Sequence, residues 1–447
     1  MRWCLKKISE LKERMDPNYH LSESSLNGET WELDEIKDII VRDPNCYGFN
    51  YCKKGIPIIR IGDLKNPFID FTNVAKISPD IHNKFKKTTL EKYDILMSVR
   101  GVSIGKIGIF LGEYDEANIS PNIIIIRLKE KDLAQYVSMF LVSDIGQSQI
   151  KSIIAGTSKP TITAPLIGKI KIPKPNTTLL KHINDTFNYA YCTREKSKQI
   201  ISKIEDIFDE EFNYAMTEKE LCYPINVKAL SDRWDPHYHN PRFDKLRVFI
   251  NEFPNNKKIT LSDIYDNIQD VEVYSNDTQI GYIEINSVNN VTGIIEEYSY
   301  DYIKKHPTGR KITLKNGDLL IPKVRPYRNA TTMYVKNNDN IVTASENAFA
   351  IYRIKDFGYP YYVVSFLRYS LGLNQIIMMQ SGTTYPTVSE DEIKTLKVLL
   401  VDITNMEVIN SLYLEYIEAK ESERASLQTI KELLSSFNKS KASNQYK

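Results

Sequence analysis

Arg14-Met15-Asp16-Pro17-Asn18-Tyr19-His20 returns later in the chain as Arg233-Trp234-Asp235-Pro236-His237-Tyr238-His239. Five of the seven positions are identical, 219 residues apart in a sequence of 447. The echo continues in order. Asp94-Ile95-Leu96 leads to Val99-Arg100, and Asp318-Leu319-Leu320 leads to Val324-Arg325. Ser120-Pro121-Asn122 matches Ser345-Glu346-Asn347, and Gly156-Thr157-Ser158-Lys159-Pro160-Thr161 matches Gly382-Thr383-Thr384-Tyr385-Pro386-Thr387. The offset drifts only from 219 to 226, as small loop insertions would cause. The chain is therefore a duplication. It has the character of a dimer about a pseudo-two-fold axis and presents two similar but unequal faces.

Each copy reads as a short helical arm, a β-rich middle and a long helix. The middle alternates apolar runs with Gly, Asn, Asp and Pro. Strands are expected at 56–61, 107–111 and 123–128, and in the second copy at 279–285, 318–324 and 348–354. A helix is expected after each set, Leu133–Ile150 and Tyr359–Met379. The fold class is thus α/β, with two pseudo-symmetric globular modules. In the helix that follows the first module, Ile183, Phe187, Ala190, Ile201, Ile204, Phe208, Phe212 and Ala215 carry a four-three rhythm, with polar Arg194 and Ser197 in two slots. In the second, Ile409, Tyr413, Tyr416, Lys420, Glu423, Leu427, Ile430, Leu434 and Phe437 keep it unbroken. This is the seam of a coiled coil. Each helix reads as roughly 30 residues, or about 45 Å. Neither has a core of its own, so the economical arrangement pairs the two antiparallel.

Composition excludes several classes. No apolar run approaches the length of a membrane span, and the first fifteen residues carry charges throughout instead of an apolar signal core. Cys4, Cys46, Cys52, Cys192 and Cys222 are odd in number and form no C-x-x-C pair. That suggests reduced thiols in the cytoplasm, with neither a disulfide frame nor a zinc site. Neither a metal nor a cofactor is expected. The net charge of +2 hides an uneven distribution. Residues 51–110 hold 11 Lys/Arg against 5 Asp/Glu, and residues 300–336 hold 9 against 2. Two basic blocks at equivalent places sit on an otherwise acidic chain. Local positive fields of this kind attract polyanions, nucleic acid above all. The competing reading is a pair of solvated loops.

The motifs divide into joints and loops. In R-x-D-P-x-Y-H, Asp-Pro starts a turn, Arg pairs with Asp or a helix end, and Tyr packs. Arg14, Asp16, Tyr19, Arg233, Asp235 and Tyr238 are therefore expected to form a repeated structural joint, rather than to supply His20 or Asp16 as an acid or base. Arg100-Gly101-Val102-Ser103-Ile104-Gly105-Lys106 is no phosphate loop of the Walker type, because the glycine spacing is wrong and Ile107 follows Lys106. The second copy has Arg325-Pro326-Tyr327-Arg328 there. Both versions suit a basic loop that approaches DNA backbone or base edges. Arg60, Arg100, Ser103 and Lys106 are the candidate DNA contacts of the first module, and Lys323, Arg325, Tyr327 and Arg328 those of the second. Thr157, Lys159, Thr383 and Tyr385, at a helix-to-strand crossing, either cap the chain or touch phosphate. No catalytic signature is present: no amino-methylation tetrapeptide, no cofactor glycine loop and no G-x-S-x-G. Glu35-Ile36-Lys37 and Glu392-Ile393-Lys394 match the Glu-x-Lys of a nuclease, but that chemistry needs a partner Asp upstream in a defined sheet, and in a Lys-rich chain the tripeptide is frequent by chance.

With these motifs in this order, twice, the chain resembles the specificity subunits of type I restriction–modification systems over nearly its whole length. The resemblance rests on the R-x-D-P-x-Y turns, the Asp94–Lys106 stretch, Gly156-Thr157 with Pro160-Thr161-Ile162, and Ile170-Lys171-Ile172-Pro173-Lys174-Pro175 running into a long helix. It implies a non-catalytic subunit in which two target recognition domains each read half of a split double-stranded DNA site. The long helices would act as an antiparallel spacer and dock two methyltransferase subunits, and an endonuclease–translocase subunit would join them. The implied layout is an N-terminal arm (1–24), a first recognition domain (25–175), a central spacer helix (176–217), a repeat of the arm (218–245), a second recognition domain (246–402), and a C-terminal spacer helix and tail (403–447). Pro326 and Tyr327 replace Gly101 and Val102, which suits a module reading a different sequence. The rivals are a pseudo-symmetric protein scaffold, and a methyltransferase or nuclease with diverged motifs.

Overall fold

The computed structural model describes residues 26, 28–46, 50–101, 103–154, 160–215, 223–224, 233–235, 237–268, 274–275, 277–296, 298–307, 309–336, 340–355, 357–382 and 384–443. The chain divides into two compact α/β units. One comprises Met1–Cys192 and Ser422–Lys447, the other Thr193–Glu421. The long helices Thr177–Phe212 and Ile403–Ser443 each contribute one half to either unit.

In the first unit, Ile123–Leu128 lies between Lys37–Val41 and Ile95–Ser98, and Ile107–Ile109 completes the sheet, all antiparallel. The four isoleucines 123–126 explain the central place of this strand. Successive side chains point to opposite faces. Ile124 and Ile126 enter one core and Ile123 and Ile125 another, all buried. Burial of each such side chain contributes about 1.5–3 kcal/mol. The second unit repeats the order with Tyr265–Asn267, Phe349–Ile354, Leu319–Pro322 and Thr332–Met333. Ala350 and Tyr352 feed one of its cores, Phe349 and Ile351 the other. A smaller sheet differs between the units. In the first it has three strands, Ala75–Ile77, Ile56–Ile59 and Asn118–Ile119; in the second Lys311–Thr313 adds a fourth.

Ile123–Leu128 forms over its whole expected run, and the other strands at the expected sites are shorter than theirs. The expected helices Leu133–Ile150 and Tyr359–Met379 are each broken in two. The first becomes Ala134–Val142 and Asp144–Ser152, the second Pro360–Arg368 and Ser370–Met379. The chain turns at Ser143 and Tyr369 so sharply that a Cβ on Gly146 would lie 2.1 Å from the Phe140 carbonyl oxygen, and one on Gly372 would lie 2.2 Å from that of Phe366. Ser143 Oγ accepts from Gly146 N and so caps the second piece.

The long helices run 36 and 41 residues, longer than their seams suggested. In the first unit Ile183, Phe187 and Ala190 share a core with Ile430 and Leu434. In the second, Ile200, Ile204, Phe208 and Phe212 share one with Met406, Ile409, Tyr413 and Tyr416. The pairing there is antiparallel: Lys196 Nζ meets Glu415 at 2.6 Å, while Asn405 Nδ2 donates to Glu211 at 2.6 Å.

Candidate nucleic-acid interface

The same hydrogen-bonded frame carries both basic loops. In the first unit the fully buried Asp94 accepts two bonds from Arg127, Nε to Oδ1 and Nη2 to Oδ2, each 2.7 Å, and one from Glu91 N at 2.8 Å. In the second, Asp318 accepts from Arg353 Nε at 2.8 Å, from Nη2 at 2.7 Å and from Lys315 N at 2.7 Å. The bidentate pair thus fixes the start of the strand that ends at each loop. Behind it, Gln149 bonds both backbone groups of Lys171 (2.9 and 3.0 Å), and Gln375 does the same to Lys397 (2.9 and 3.0 Å). Tyr136 donates to the Pro173 carbonyl and Tyr362 to that of Leu399. Burial raises the pKa of both phenols, so both remain donors. Asp94 and Asp318 stood out in the sequence as part of the repeat, but their partners Arg127 and Arg353, and Gln149, Gln375, Tyr136 and Tyr362, did not. A signal was present: an Arg next to last in each central strand, Ile123–Leu128 and Phe349–Ile354.

The first loop leaves the sheet after Ser98. Ser98 Oγ accepts from Lys106 N at 2.9 Å and donates to the Ser103 carbonyl, and Gly105 N donates to the Ser98 carbonyl at 2.9 Å. Gln147 Nε2, from the flanking helix, donates to the Gly105 carbonyl at 2.9 Å. Gly101 and Gly105 have φ of +88° and +87°, a backbone that favours glycine. The loop brings Arg100, Ser103 and Lys106 together. Arg100 is exposed, the other two are half-buried, and neither Arg100 nor Lys106 has an ion-pair partner among the described residues.

The second loop is a single turn, Pro326–Arg328, bracketed by Arg325 and Asn329 with φ of 49° and 55°. Arg325 N donates to the Pro386 carbonyl at 2.8 Å, and its guanidinium lies 5.3 Å over the Tyr385 ring. Tyr327 and Tyr385 are 49% and 57% exposed, so their rings face solvent beside the exposed Arg328. Arg368 ties the loop down, donating to the Asn329 and Thr331 carbonyls at 2.6 and 2.9 Å and to those of Asn290 and Val291 at 3.1 and 3.0 Å.

Two motifs that are far apart in sequence meet here. Arg100 bridges Thr161, and Val324 bridges Thr387. Thr157, Lys159 and Thr383 lie outside the described residues. Arg60 and Lys323 are engaged within their own units. Arg60 pairs with Asp63 at 3.3 Å and donates to the Asn73 carbonyl at 3.0 Å. Lys323 pairs with Glu390 at 2.6 Å, both largely covered. Arg310 is likewise paired, with Glu346 at 3.2 Å.

At the repeated turn, Arg14, Asp16 and Tyr19 lie outside the described residues. Arg233 donates to Asp235 (2.9 Å), Glu392 (2.8 Å) and the Met379 carbonyl (2.9 Å), and lies 4.7 Å over the Tyr238 ring. His237 Nε2 meets the Ile377 carbonyl at 2.8 Å, and His239 Nε2 meets the Arg233 carbonyl at 2.7 Å. The turn thus engages the end of the helix Ser370–Met379. Cys46, Cys52 and Cys192 are free thiols; burial pushes Cys46 up to about 11. Among the described residues, no group of three or more His, Cys, Asp or Glu is placed to hold a metal ion, and no helix is long and apolar enough to cross a membrane.

Residues 28–206 match the family model described as Type I restriction modification DNA specificity domain. The specificity subunit of the type I restriction enzyme EcoBI of Escherichia coli is 23% identical over 194 residues, which span 40% of this chain and 40% of that one. The chain thus matches well under two thirds of that relative's length. The crystal structure of the type I restriction–modification S subunit from M. genitalium aligns with a TM-score of 0.44 at 14% identity, covering 95% of this chain and 97% of that one. The HsdS subunit from Thermoanaerobacter tengcongensis aligns with a TM-score of 0.29 at 12% identity, covering 92% and 96%. The resemblance drawn from the motifs is to this same family.

Proposed function

We propose that the chain is a non-catalytic DNA-recognition subunit of a type I restriction–modification complex. The observation that carries this is one hydrogen-bonded frame, built twice, that presents a different cationic loop at the same place each time. Similar modules with different loops suit a double-stranded DNA site split into two unlike halves. Phosphate contacts set affinity, while a few side chains choose bases. Linking the modules raises the effective concentration of the second once the first has bound. The recognition domains are 25–175 and 246–402, the arms 1–24 and 218–245, and the helical spacers 176–217 and 403–447. Contact falls to Arg100, Ser103, Lys106, Arg325, Tyr327, Arg328 and Tyr385, with Arg60 and Lys323 holding their loops in place. The subunit carries no cofactor of its own. It docks two methyltransferase subunits and an endonuclease–translocase subunit in the cytoplasm.

The test is a genome-wide map of adenine methylation in cells with the chain and its neighbouring methyltransferase, and in cells lacking only this chain. A split motif that disappears with the deletion is the expected result. An unchanged map at an expressed locus removes this reading and favours the scaffold.

A further inference from the structure

One cation stands out that neither the charge blocks nor the repeat singled out. Arg42 follows Val41, the last residue of the edge strand Lys37–Val41. Val41 pairs with Ile125 of the central strand, which in turn pairs with Leu96. Both strands that flank the central one run antiparallel to it, so they are parallel to each other and finish at the same end of the sheet. Arg42 and Arg100 therefore leave the sheet at one edge. Ser120-Pro121-Asn122 enters the central strand between them, with Val99 N donating to the Asn122 carbonyl at 2.9 Å.

Arg42 is half-buried, and its Nη1 is fully buried with no hydrogen-bond partner among the described residues. Burial lowers its pKa, and the Arg100 charge lowers it further. The carboxylate next in sequence, Asp43, is turned to Lys87 at 3.2 Å. Two guanidinium groups thus leave the same end of the sheet close enough for the charge of Arg100 to act on Arg42. A buried guanidinium donor without an acceptor is unfavourable, and so are like charges at close range. An anion between them removes both costs. The neutral edge of a base satisfies the donor but leaves the repulsion in place.

We propose that Arg42 and Arg100 together hold one phosphate of the bound nucleic-acid backbone, in the first unit only. In the second copy the equivalent strand ends at Asn267, Ile268 and Gln269 follow in sequence, and no arginine occurs between Arg247 and Arg310. The acid balance differs too: Glu346 stands where the first copy has Pro121, and it pairs with Arg310. The site rests on the DNA-binding reading above and deepens it. Arg100 then fixes the position of the duplex instead of choosing a base.

The test measures binding of the full chain, alone and coexpressed with its methyltransferase subunits, to target and scrambled duplex DNA across a salt series. Arg42→Gln is expected to weaken both DNAs by the same factor, about tenfold. It is also expected to reduce the slope of log K against log salt by up to about 0.9, the value of one phosphate contact. Arg42→Lys is expected to keep most of the slope, and Arg42→Gln/Arg100→Gln to weaken binding by less than the product of the single effects. In a duplex scanned with single neutral methylphosphonates, one position is expected to cost the wild-type chain affinity and the Arg42→Gln chain less, because Arg100 still reaches that phosphate; its wild-type half needs no variant to fold. An unchanged slope with unchanged affinity in Arg42→Gln overturns the clamp while leaving DNA recognition standing. Loss of discrimination at one base pair with an unchanged slope overturns it in favour of a base contact. A wild-type chain that binds no DNA in either form overturns both the clamp and the function it rests on.

Discussion

The loop after Val99 and the loop after Val324 begin at the same strand end and leave it by different routes. The first turns through two glycines and is held by the side chains of Ser98 and Gln147. The second turns through Arg325 and Asn329 and is held by Arg368. The first exposes an arginine beside a second, half-buried arginine; the second stacks its arginine on a tyrosine ring. Underneath, the two units agree residue for residue: Asp94 with Asp318, Arg127 with Arg353, Gln149 with Gln375, Tyr136 with Tyr362. A frame whose polar groups are all satisfied tolerates little change, whereas a loop whose charged tips face solvent can be rewritten without unfolding the unit.

The largest expected effect tests the shared frame. Asp94→Ala strands Arg127, and Asp318→Ala strands Arg353. Removing one partner of a buried pair costs about 3–5 kcal/mol. Urea unfolding followed by hydrogen exchange on Ile95–Ser98 or on Leu319–Pro322 reads each unit separately. Similar losses in the two units are expected. A loss in one unit only means that the frames are alike in geometry and unlike in energy.

The next effect tests the loops. Arg325, pre-set by its stack on Tyr385, is placed to read a base. Arg325→Ala is expected to cost about 1–3 kcal/mol and to relax choice at one position of one half-site. Arg100→Ala is expected to weaken target and scrambled DNA alike and to flatten the salt dependence. Selection from a randomised duplex library, run at two salt concentrations, separates the two outcomes. Relaxed choice in Arg100→Ala, or uniform weakening in Arg325→Ala, reverses the roles assigned to the loops.

Much of the fold was legible in the sequence. The duplication set two units, the apolar run 123–128 marked a strand, and the four-three rhythm marked the long helices. The breaks at Ser143 and Tyr369 were not legible from apolar periodicity, which runs straight through them. They are set by a close backbone approach that only glycine permits, and the repeated sign was a glycine three residues after each break, Gly146 and Gly372. The loops were visible as blocks of positive charge, but not which charges were already neutralised. Arg60 and Asp63 are three apart and pair locally; Lys323 and Glu390 are 67 apart, and only the fold brings them together. Arg42 escaped because a single arginine after a strand carries no pattern. Its meaning comes from Arg100, which reaches the same edge from another strand.

The smallest effect tests how far the likeness of the two frames extends. The Tyr136 hydroxyl makes one bond, to the Pro173 carbonyl at 2.7 Å. The Tyr362 hydroxyl donates to the Leu399 carbonyl and also accepts from Val401 N at 3.3 Å. Tyr136→Phe leaves one buried carbonyl without its donor and is expected to cost about 1 kcal/mol. Tyr362→Phe leaves a carbonyl and an N–H, and is expected to cost about 2 kcal/mol. The check is the difference between the two unfolding midpoints, measured in the same denaturant. Equal costs mean that the long bond from Val401 adds nothing, so that the hydroxyl acts identically in both copies. A larger cost at Tyr362 means that the second unit ties the end of its strand Lys397–Leu399 more firmly to the helix Pro360–Arg368 than the first ties its own counterpart.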